Sequence, residues 1–327
     1  NGEIEFNQII DPKKRSACSF ERIYFSRGND IEIYNERKKL GAFLKNNVLK
    51  KINNDLDNTI FSYIPNTAET AFLGLVSSIE EEMGKHKKNL LKHGKIEELQ
   101  KIISQKLRIE KMAVKDAKLR TFITSDSDRD GLVGHVYDVT YGASSSKDTL
   151  VILDDSIVRG TTLKKSILRI LDRLNLKKII VVSSAPQIRY PDCYGIDMAK
   201  LGDFIAFKGV MSLLNKTPEG KTHIASVYEK CKKALKQPKE NQQNHLKELY
   251  SWFTNEEISK EIAILLKTDN LSTEFDIIFQ KVEDLHQACP EHMGDWYFTG
   301  DYPTPGGNKV ANKSLVYYIE GRDSRAY

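Results

Sequence analysis

Two short apolar runs flank an amphipathic stretch in the middle of the chain. Residues 150–153 are all apolar, and the segment 178–184 contains the apolar run 179–182, as in strands that are buried on both faces. Between them, residues 161–174 carry apolar side chains at helical spacing, including Ile167, Leu171 and Leu174. Because a crossover helix joins parallel strands, this pattern predicts a parallel sheet and an α/β fold.

Further elements are predicted on both sides of this unit. Apolar residues four apart predict a helix over residues 31–53, and apolar residues on one side predict a second helix over 68–83. A short strand is predicted between them, over residues 59–64. After residue 203 the pattern is mainly helical, and Thr254 with Glu257 forms a capping-box motif. Gly and Pro interrupt the last 40 residues, which we expect to form a loop. We therefore expect a domain over residues 1–203, with residues 204–327 forming a helical extension and a wrapping tail packed on it.

Composition excludes several classes of protein. The 327 residues are 40% hydrophobic and 29% charged, which is ordinary for a folded protein and excludes disordered and collagen-like chains. The net charge of +5 comes from a nearly even mixture of 50 basic and 45 acidic residues, so we expect no nucleic-acid partner. No apolar run approaches the roughly 18 residues of a membrane helix. Four cysteines without paired spacing are typical of a reducing cytoplasm.

The loop after the first buried run carries the strongest chemical signal. Asp154 and Asp155 leave the carboxyl end of the predicted strand, where parallel sheets bind ligands. Their oxygens suit the vicinal hydroxyls of a sugar or a hard cation such as Mg²⁺. Small residues follow where the next helix begins: Ser156, Gly160, Thr161 and Thr162. A helix N-terminus attracts anions, so the loop predicts a sugar-phosphate pocket.

A purely structural role for this loop is the alternative. Two aspartates are also compatible with an exposed turn, and Ser or Thr before a helix is a routine N-cap. Capping alone does not require two acids, a glycine and two threonines in this order, which favours the pocket.

The loop also resembles a known family. Residues 154–162, Asp-Asp-Ser-Ile-Val-Arg-Gly-Thr-Thr, resemble the phosphoribosyl pyrophosphate (PRPP) loop of type I phosphoribosyltransferases, in the form found in amidophosphoribosyltransferases. Other segments resemble the same family in the same order: residues 18–27, 64–68, 120–123 and 185–198. Several ordered matches favour the amidophosphoribosyltransferases over the wider superfamily.

The resemblance implies an activity and a fold. It implies a type I phosphoribosyltransferase fold with a helical C-terminal extension, and a pentosyltransferase that adds ammonia to C1 of PRPP. The products are 5-phosphoribosylamine and pyrophosphate, in the first committed step of purine biosynthesis. The resemblance also implies Mg²⁺ as cofactor, a glutaminase domain in the full-length enzyme, and a homo-oligomer in the cytoplasm.

The resemblance assigns roles to individual residues. Asp154 and Asp155 would hold the ribose hydroxyls and Mg²⁺, and Thr67 would contact the pyrophosphate or its metal. Arg120 would reach the pyrophosphate from a mobile loop, with Lys111 or Lys118 as weaker candidates. The remaining PRPP-binding residues would be Ser156, Arg159, Gly160, Thr161 and Thr162.

The sequence also departs from this family. Many members bind an iron–sulfur cluster through four cysteines, but only Cys18 and Cys193 lie near those positions, so we predict no cluster. The spacing of His286, Cys289 and His292 is compatible with zinc, but without a clear fourth ligand a structural role is favoured.

The beginning of the chain is a further departure. The family's glutaminase uses an N-terminal cysteine, whereas this chain begins with Asn1 and lacks an initiator Met. We expect a fragment of a longer enzyme that depends on free ammonia, and a natural stand-alone protein is the alternative.

Two other functions stay open. One is a phosphoribosyltransferase that salvages a purine base, which the Tyr-Gly-Ile-Asp-Met segment at 194–198 disfavours. The other is a non-catalytic PRPP-binding regulator. The departures at Asn66 and at residues 135–139, where positive charges are few, are compatible with it. The long charged insertion at 84–107 is a further departure from the family. PRPP binding without turnover would distinguish the regulator from the enzyme.

Overall fold

The computed structural model describes residues 2, 4–9, 11, 15–115, 137–195, 198–268 and 271–326. Within them, five parallel strands form one sheet in the order β2-β1-β5-β6-β7. These strands are β1 Thr59–Tyr63, β2 Arg108–Ile109, β5 Thr149–Asp154, β6 Lys178–Ser183 and β7 Glu274–Phe279. A separate antiparallel pair consists of β3 Ala113–Lys115 and β4 Tyr137–Val139. The predicted α/β class and parallel sheet are confirmed.

The two apolar runs form neighbouring central strands. Leu150 of β5 lies opposite Ile179 of β6 in parallel register. Alternate residues of β5 enter different hydrophobic clusters, with Leu150 and Ile152 in one and Val151 and Leu153 in the other. Both faces of the strand are therefore buried, which explains why the run is continuous rather than alternating.

Helices cover both faces of the sheet. In chain order they are α1 Ile31–Phe43, α2 Lys45–Lys51, α3 Glu69–Lys92, α4 Ile96–Ile102, α5 Leu168–Asp172, α6 Ile205–Lys216, α7 Gly220–Leu235, α8 Lys247–Tyr250, α9 Asn255–Leu266, α10 Val282–Ala288, α11 Trp296–Thr299 and α12 Pro305–Ile319. Short π-helical segments span Glu21–Phe25 and Leu163–Ile167, the latter leading directly into α5, and 3₁₀ turns span Leu201–Asp203 and Lys239–Asn241. None of the described helices combines the length and the apolar character that a bilayer crossing needs.

Two glycines let α1 and α3 pack closely. A Cβ atom on Gly41 would lie 1.7 Å from the carbonyl oxygen of Ala71, and one on Gly74 would lie 1.9 Å from that of Lys38. Only residues without a side chain fit at these crossing points. The contact holds α3 against the sheet, behind the loop that follows β1.

The C-terminal third differs from the sequence-based expectation in two respects. The loop predicted for the last 40 residues is wrong over Pro305–Ile319, which forms α12 with Leu315 fully buried. Pro305 occupies the first helical turn, where its missing N–H costs nothing. In addition, Glu274–Phe279 was not predicted as a strand, yet it forms the edge strand beside β6. The capping box at Thr254 is confirmed.

Candidate active site

A cavity of about 770 Å³ opens at the carboxyl ends of β1 and β5, near the middle of the sheet. Two loops line most of it, one after each strand. The wall is completed by side chains from other segments: Phe20, Tyr24, Phe25, Lys115, Tyr137, Ile167 and Met198. In parallel sheets this end of the strands is where ligands bind.

The two aspartates form a connected unit at the end of β5. The carboxylate of Asp154 accepts a hydrogen bond from the backbone N–H of Asp155 at 2.9 Å, and that of Asp155 accepts one from Ser156 Oγ at 3.0 Å. Ser184, just after β6, donates its N–H to the Asp154 carbonyl and its hydroxyl to the Asp155 carbonyl. The neighbouring strand therefore fixes the direction in which both carboxylates leave the sheet.

Burial makes ionisation of both carboxyl groups unfavourable. Removal from water raises the pKa of Asp154 well above its ordinary value, and the negative charge of Asp155 raises it further. Burial also raises the pKa of Asp155, although hydrogen bonds from Ser156 and Thr67 and the charge of Arg37 oppose the shift. Two adjacent acids with little compensating charge favour a ligand that brings hydroxyl donors or a cation.

Arg37 of α1 supports the site but does not line the cavity. Its buried guanidinium donates to the carbonyl oxygens of Arg22 at 2.9 Å and Ser26 at 2.8 Å. These bonds hold the π-helical segment Glu21–Phe25, whose aromatic residues line the cavity. The same guanidinium places positive charge near Asp155, and burial lowers its own pKa.

The rest of the loop leads into a helix whose first residues are exposed. Gly160 has a positive φ of 70°, and its carbonyl accepts the N–H of Lys164 at 2.9 Å. Thr161 and Thr162 are exposed at the first positions of this helix. Arg159 lies 3.5 Å from the carboxylate of Asp203. Hydroxyl groups and free backbone N–H groups at a helix start form an anion site.

The loop after β1 forms the opposite side of the cavity. The N–H of Ile64 donates to the Leu153 carbonyl at 2.8 Å, which ties this loop to β5. The peptide bond between Pro65 and Asn66 is cis. Thr67 then lies near the Asp155 carboxylate and lowers the pKa of that group. The two loops therefore approach each other at Thr67 and Asp155.

Eight of the nine site residues named from the sequence line this one cavity: Thr67, Asp154, Asp155, Ser156, Arg159, Gly160, Thr161 and Thr162. Arg120 and the weaker candidate Lys118 lie outside the described residues. Lys111 is described but does not line the cavity, whereas Lys115 does.

Tyr137 was also missed by sequence reasoning. Its ring is half-buried in the cavity wall, and burial together with the charges of Asp154 and Asp155 raises the pKa of its hydroxyl. Neither Tyr137 nor Lys115 belongs to a recognisable motif, so only the fold places them here.

The three cysteines considered as metal ligands lie in or against the hydrophobic core. The described residues contain no group of three or more His, Cys, Asp or Glu side chains arranged for a metal ion. His286 Nε2 lies 3.1 Å from Asp295 Oδ2 instead. Burial raises the pKa of Cys193 to about 11, which keeps this thiol protonated at neutral pH.

Sequence comparison identifies several amidophosphoribosyltransferases as similar proteins. The chain is 28% identical over 211 residues to the amidophosphoribosyltransferase of Pasteurella multocida, which covers 63% of this chain and 36% of that protein. The Saccharomyces cerevisiae enzyme is also 28% identical, over 212 residues and 36% of its length. The resemblance inferred from the motifs is confirmed. No protein-family model matches the chain.

A solved structure is similar in fold. The glutamine PRPP amidotransferase of B. subtilis, complexed with ADP and GMP, matches with a TM-score of 0.50 and 21% identity, over 90% of this chain and 48% of that one. The fold is therefore that of the type I phosphoribosyltransferases. The chain spans a little over a third of the length of the curated relatives and about half of this structure.

Proposed function

We propose that this chain is the synthase part of an amidophosphoribosyltransferase, which transfers ammonia to C1 of PRPP and releases pyrophosphate. One observation carries the proposal. The paired carboxylates of Asp154 and Asp155, the exposed helix start at Thr161 and the second loop at Thr67 all line one cavity. A phosphorylated sugar with a pyrophosphate at C1 presents complementary groups in the same order. The reaction would be the first committed step of purine biosynthesis.

The ribose and its 5′-phosphate would bind along the β5 loop. Asp154 and Asp155 would accept hydrogen bonds from the vicinal ribose hydroxyls, which supply the donors that two buried carboxylates need. The 5′-phosphate would lie at the helix start, held by Ser156, Thr161 and Thr162. Gly160 allows the backbone to turn there.

The pyrophosphate would lie on the side of the β1 loop. Thr67 and its neighbouring backbone would hold it, and Lys115 adds positive charge to that wall of the cavity. Arg120 would be a further pyrophosphate ligand. Negative charge grows on the leaving group while C1 develops oxocarbenium character, so cations placed here favour departure.

The donor set at the two loops also fits Mg²⁺. Two carboxylates and one hydroxyl, from Asp154, Asp155 and Thr67, are hard oxygen ligands, and Mg²⁺ is commonly held by one or two carboxylates plus substrate phosphates. When bound, the ion would supply charge neutralisation for the pyrophosphate. It would also favour the ionised form of both buried acids.

Free ammonia is the proposed nitrogen donor for these 327 residues. Ammonia is a good nucleophile, and among the described residues no cysteine lines the cavity. Glutamine-dependent activity would require a glutaminase domain, and we propose such a domain as a partner in the full-length enzyme. Assembly as a homo-oligomer stays a prediction.

Pyrophosphate release from PRPP tests the proposal. With Mg²⁺ present, ammonium chloride should support release and glutamine should not. Asp155→Asn should reduce the rate by about 10²-fold or more, because it removes a charged ligand of the substrate and metal. Asp138→Asn is the matched control, since Asp138 is exposed and lies outside the cavity.

The possible failures have distinct meanings. A PRPP-dependent rise in melting temperature without turnover would contradict the enzyme and indicate a non-catalytic PRPP-binding module. Release only when a purine base replaces ammonium would indicate a salvage phosphoribosyltransferase. If PRPP gave neither pyrophosphate release nor a change in melting temperature, the result would contradict the proposal that this cavity binds PRPP.

A further inference from the structure

A second cavity of about 670 Å³ runs along β7 at the edge of the sheet. It lies between β7, the segment that follows β6 and the first turns of α9. The two cavities share no lining residue. The second cavity is therefore separate from the proposed PRPP site, and nothing in the proposed reaction uses it.

Arg189 is the central polar residue of this cavity. Its Nε and Nη2 atoms lie 3.1 Å and 2.6 Å from the side-chain oxygen of Gln187, and Nη2 also donates to Asn255 Oδ1 at 2.6 Å. Gln187 is itself buried and donates to the carbonyl of Asn255 and the hydroxyl of Ser259. The guanidinium therefore has a fixed orientation before any ligand arrives.

The positive charge of Arg189 has no anionic partner among the described residues. Both of its polar contacts are neutral amide oxygens, and its Nη1 atom makes no hydrogen bond there. Its other neighbour is the ring of Tyr250, with the guanidinium carbon 5.1 Å from the ring centre. Burial also disfavours the charged form of Arg189 and so lowers the pKa of this residue. An oriented, partly desolvated guanidinium without a carboxylate is unfavourable unless an anion binds.

The charged side chains around the cavity are mostly basic. Six basic and three acidic side chains line the cavity. Asp276 is already neutralised, by Lys51 at 2.9 Å and Lys178 at 2.6 Å. Lys260 and Lys281 are exposed at the rim, with no ion pair to a described residue. Several cations around one oriented guanidinium suit a group with more than one negative charge.

The floor of the cavity is apolar. It consists of side chains from β7 and the two segments beside it: Pro186, Ile277, Ile278, Phe279, Val282 and Phe298. The volume is in the range of small-molecule sites, which combine apolar walls with a few oriented polar groups. We propose that this cavity binds a small organic phosphate, with the phosphoryl group on Arg189, Lys260 and Lys281 and the organic part over the apolar floor.

Binding of inorganic phosphate to the whole chain tests the proposal. The background carries Ser156→Ala and Thr161→Val, which remove two proposed phosphate ligands from the first cavity. Calorimetry and melting temperature would be followed at constant ionic strength, with acetate and chloride as comparison anions. We expect phosphate to bind and raise the melting temperature, and acetate to do so at least several-fold more weakly.

Variants of the second cavity complete the test. Lys260→Gln with Lys281→Gln changes only exposed side chains and should weaken phosphate binding about tenfold. Lys39→Gln with Lys92→Gln removes the same charge from exposed positions outside both cavities and should have no effect. Arg189→Lys should weaken binding further while the chain stays folded.

Three results would overturn the proposal. They are loss of phosphate binding in the Ser156→Ala and Thr161→Val background, equal weakening by both lysine pairs, or an equal response to acetate. The first would assign phosphate binding to the first cavity alone. The second would indicate non-specific electrostatic binding of phosphate to lysines. The third would indicate that the second cavity binds carboxylates equally well.

Discussion

Gly160 lies directly against Leu266: a Cβ atom built on the glycine would be 2.7 Å from Leu266 Cδ2. Leu266 is the last residue of α9 and is almost fully buried, so it has little room to move. The preceding residue, Leu265, accepts a hydrogen bond from Lys164 Nζ at 2.6 Å. A helix more than 100 residues later in the chain thus supports the proposed phosphate loop, and it restricts which residue can occupy its turn.

Gly160→Ala should therefore destabilise the protein and weaken PRPP binding. A left-handed conformation and a crowded Cβ together should cost about 1–3 kcal/mol in the free energy of unfolding, measured in urea. Gly142→Ala is the matched control, because Gly142 has a φ of 82° but open space around it. Adding Leu266→Ala should remove part of the Gly160→Ala penalty. Equal losses at Gly160 and Gly142 would contradict the packing argument.

The pKa of Asp154 predicts an unusual pH dependence. Its folded-state pKa is raised, so its contribution to stability is fully present below the unfolded value of 3.8 and is lost as the pH rises through the folded-state pKa. Asp154→Asn, which cannot ionise, should raise the melting temperature at pH 7 and flatten the decline of the melting temperature as the pH rises above 4. Asp138→Asn should leave the profile unchanged. A steeper decline in Asp154→Asn would show that the carboxylate is stabilised rather than strained.

The proposed site was predictable where its residues are consecutive. Asp154 and Thr161 lie in one loop between a strand and a helix, so their type and order alone indicate a sugar-phosphate pocket. Arg37, Lys115 and Tyr137 come from segments far apart in the chain and are joined only by the fold. Each has an ordinary local sequence, and no spacing rule connects it to the loop.

The fold was predictable where the apolar pattern was strong. The strands β5 and β6 are buried on both faces and have continuous apolar runs. The edge strand β7 contains Asp276, whose charge is neutralised by lysines that the sequence pattern does not connect to it. The C-terminal helix begins with Pro305 and two glycines, which suggest a loop unless the proline occupies the first helical position.

Arg37 should affect the site without contacting the substrate. Arg37→Gln removes the charge near Asp155 and the bonds to the backbone carbonyls of Arg22 and Ser26. We expect a loss of about 1–3 kcal/mol in stability and a higher KM for PRPP. The acidic limb of the kcat/KM profile should also move to higher pH, because the pKa of Asp155 rises without the guanidinium. Arg37→Lys keeps the positive charge near Asp155, so it should return the acidic limb to its original pH more fully than it restores the free energy of unfolding.

An ion pair of Asp148 connects β2 to the turn before β5. The buried Asp148 carboxylate accepts from Arg108 Nη1 at 2.5 Å and Nη2 at 3.1 Å, and from the N–H of Ser145. Arg108 lowers the pKa of Asp148, so the stabilisation exists above the unfolded pKa and is lost as the pH falls through the folded value. Asp148→Asn should cost about 1–3 kcal/mol at pH 7, a range kept low because Arg108 is partly exposed.

A double-mutant cycle with Arg108→Gln separates this pair from the other contacts of Asp148. Because Ser145 also donates to the carboxylate, Asp148→Asn should cost more than Arg108→Gln, and the coupling energy should shrink below pH 4. The exposed pair of Lys95 and Glu98 is the control, and Glu98→Gln should change stability by less than about 0.5 kcal/mol. A coupling energy equal to that of the exposed pair would show that the Arg108–Asp148 pair does not hold β2 to the sheet.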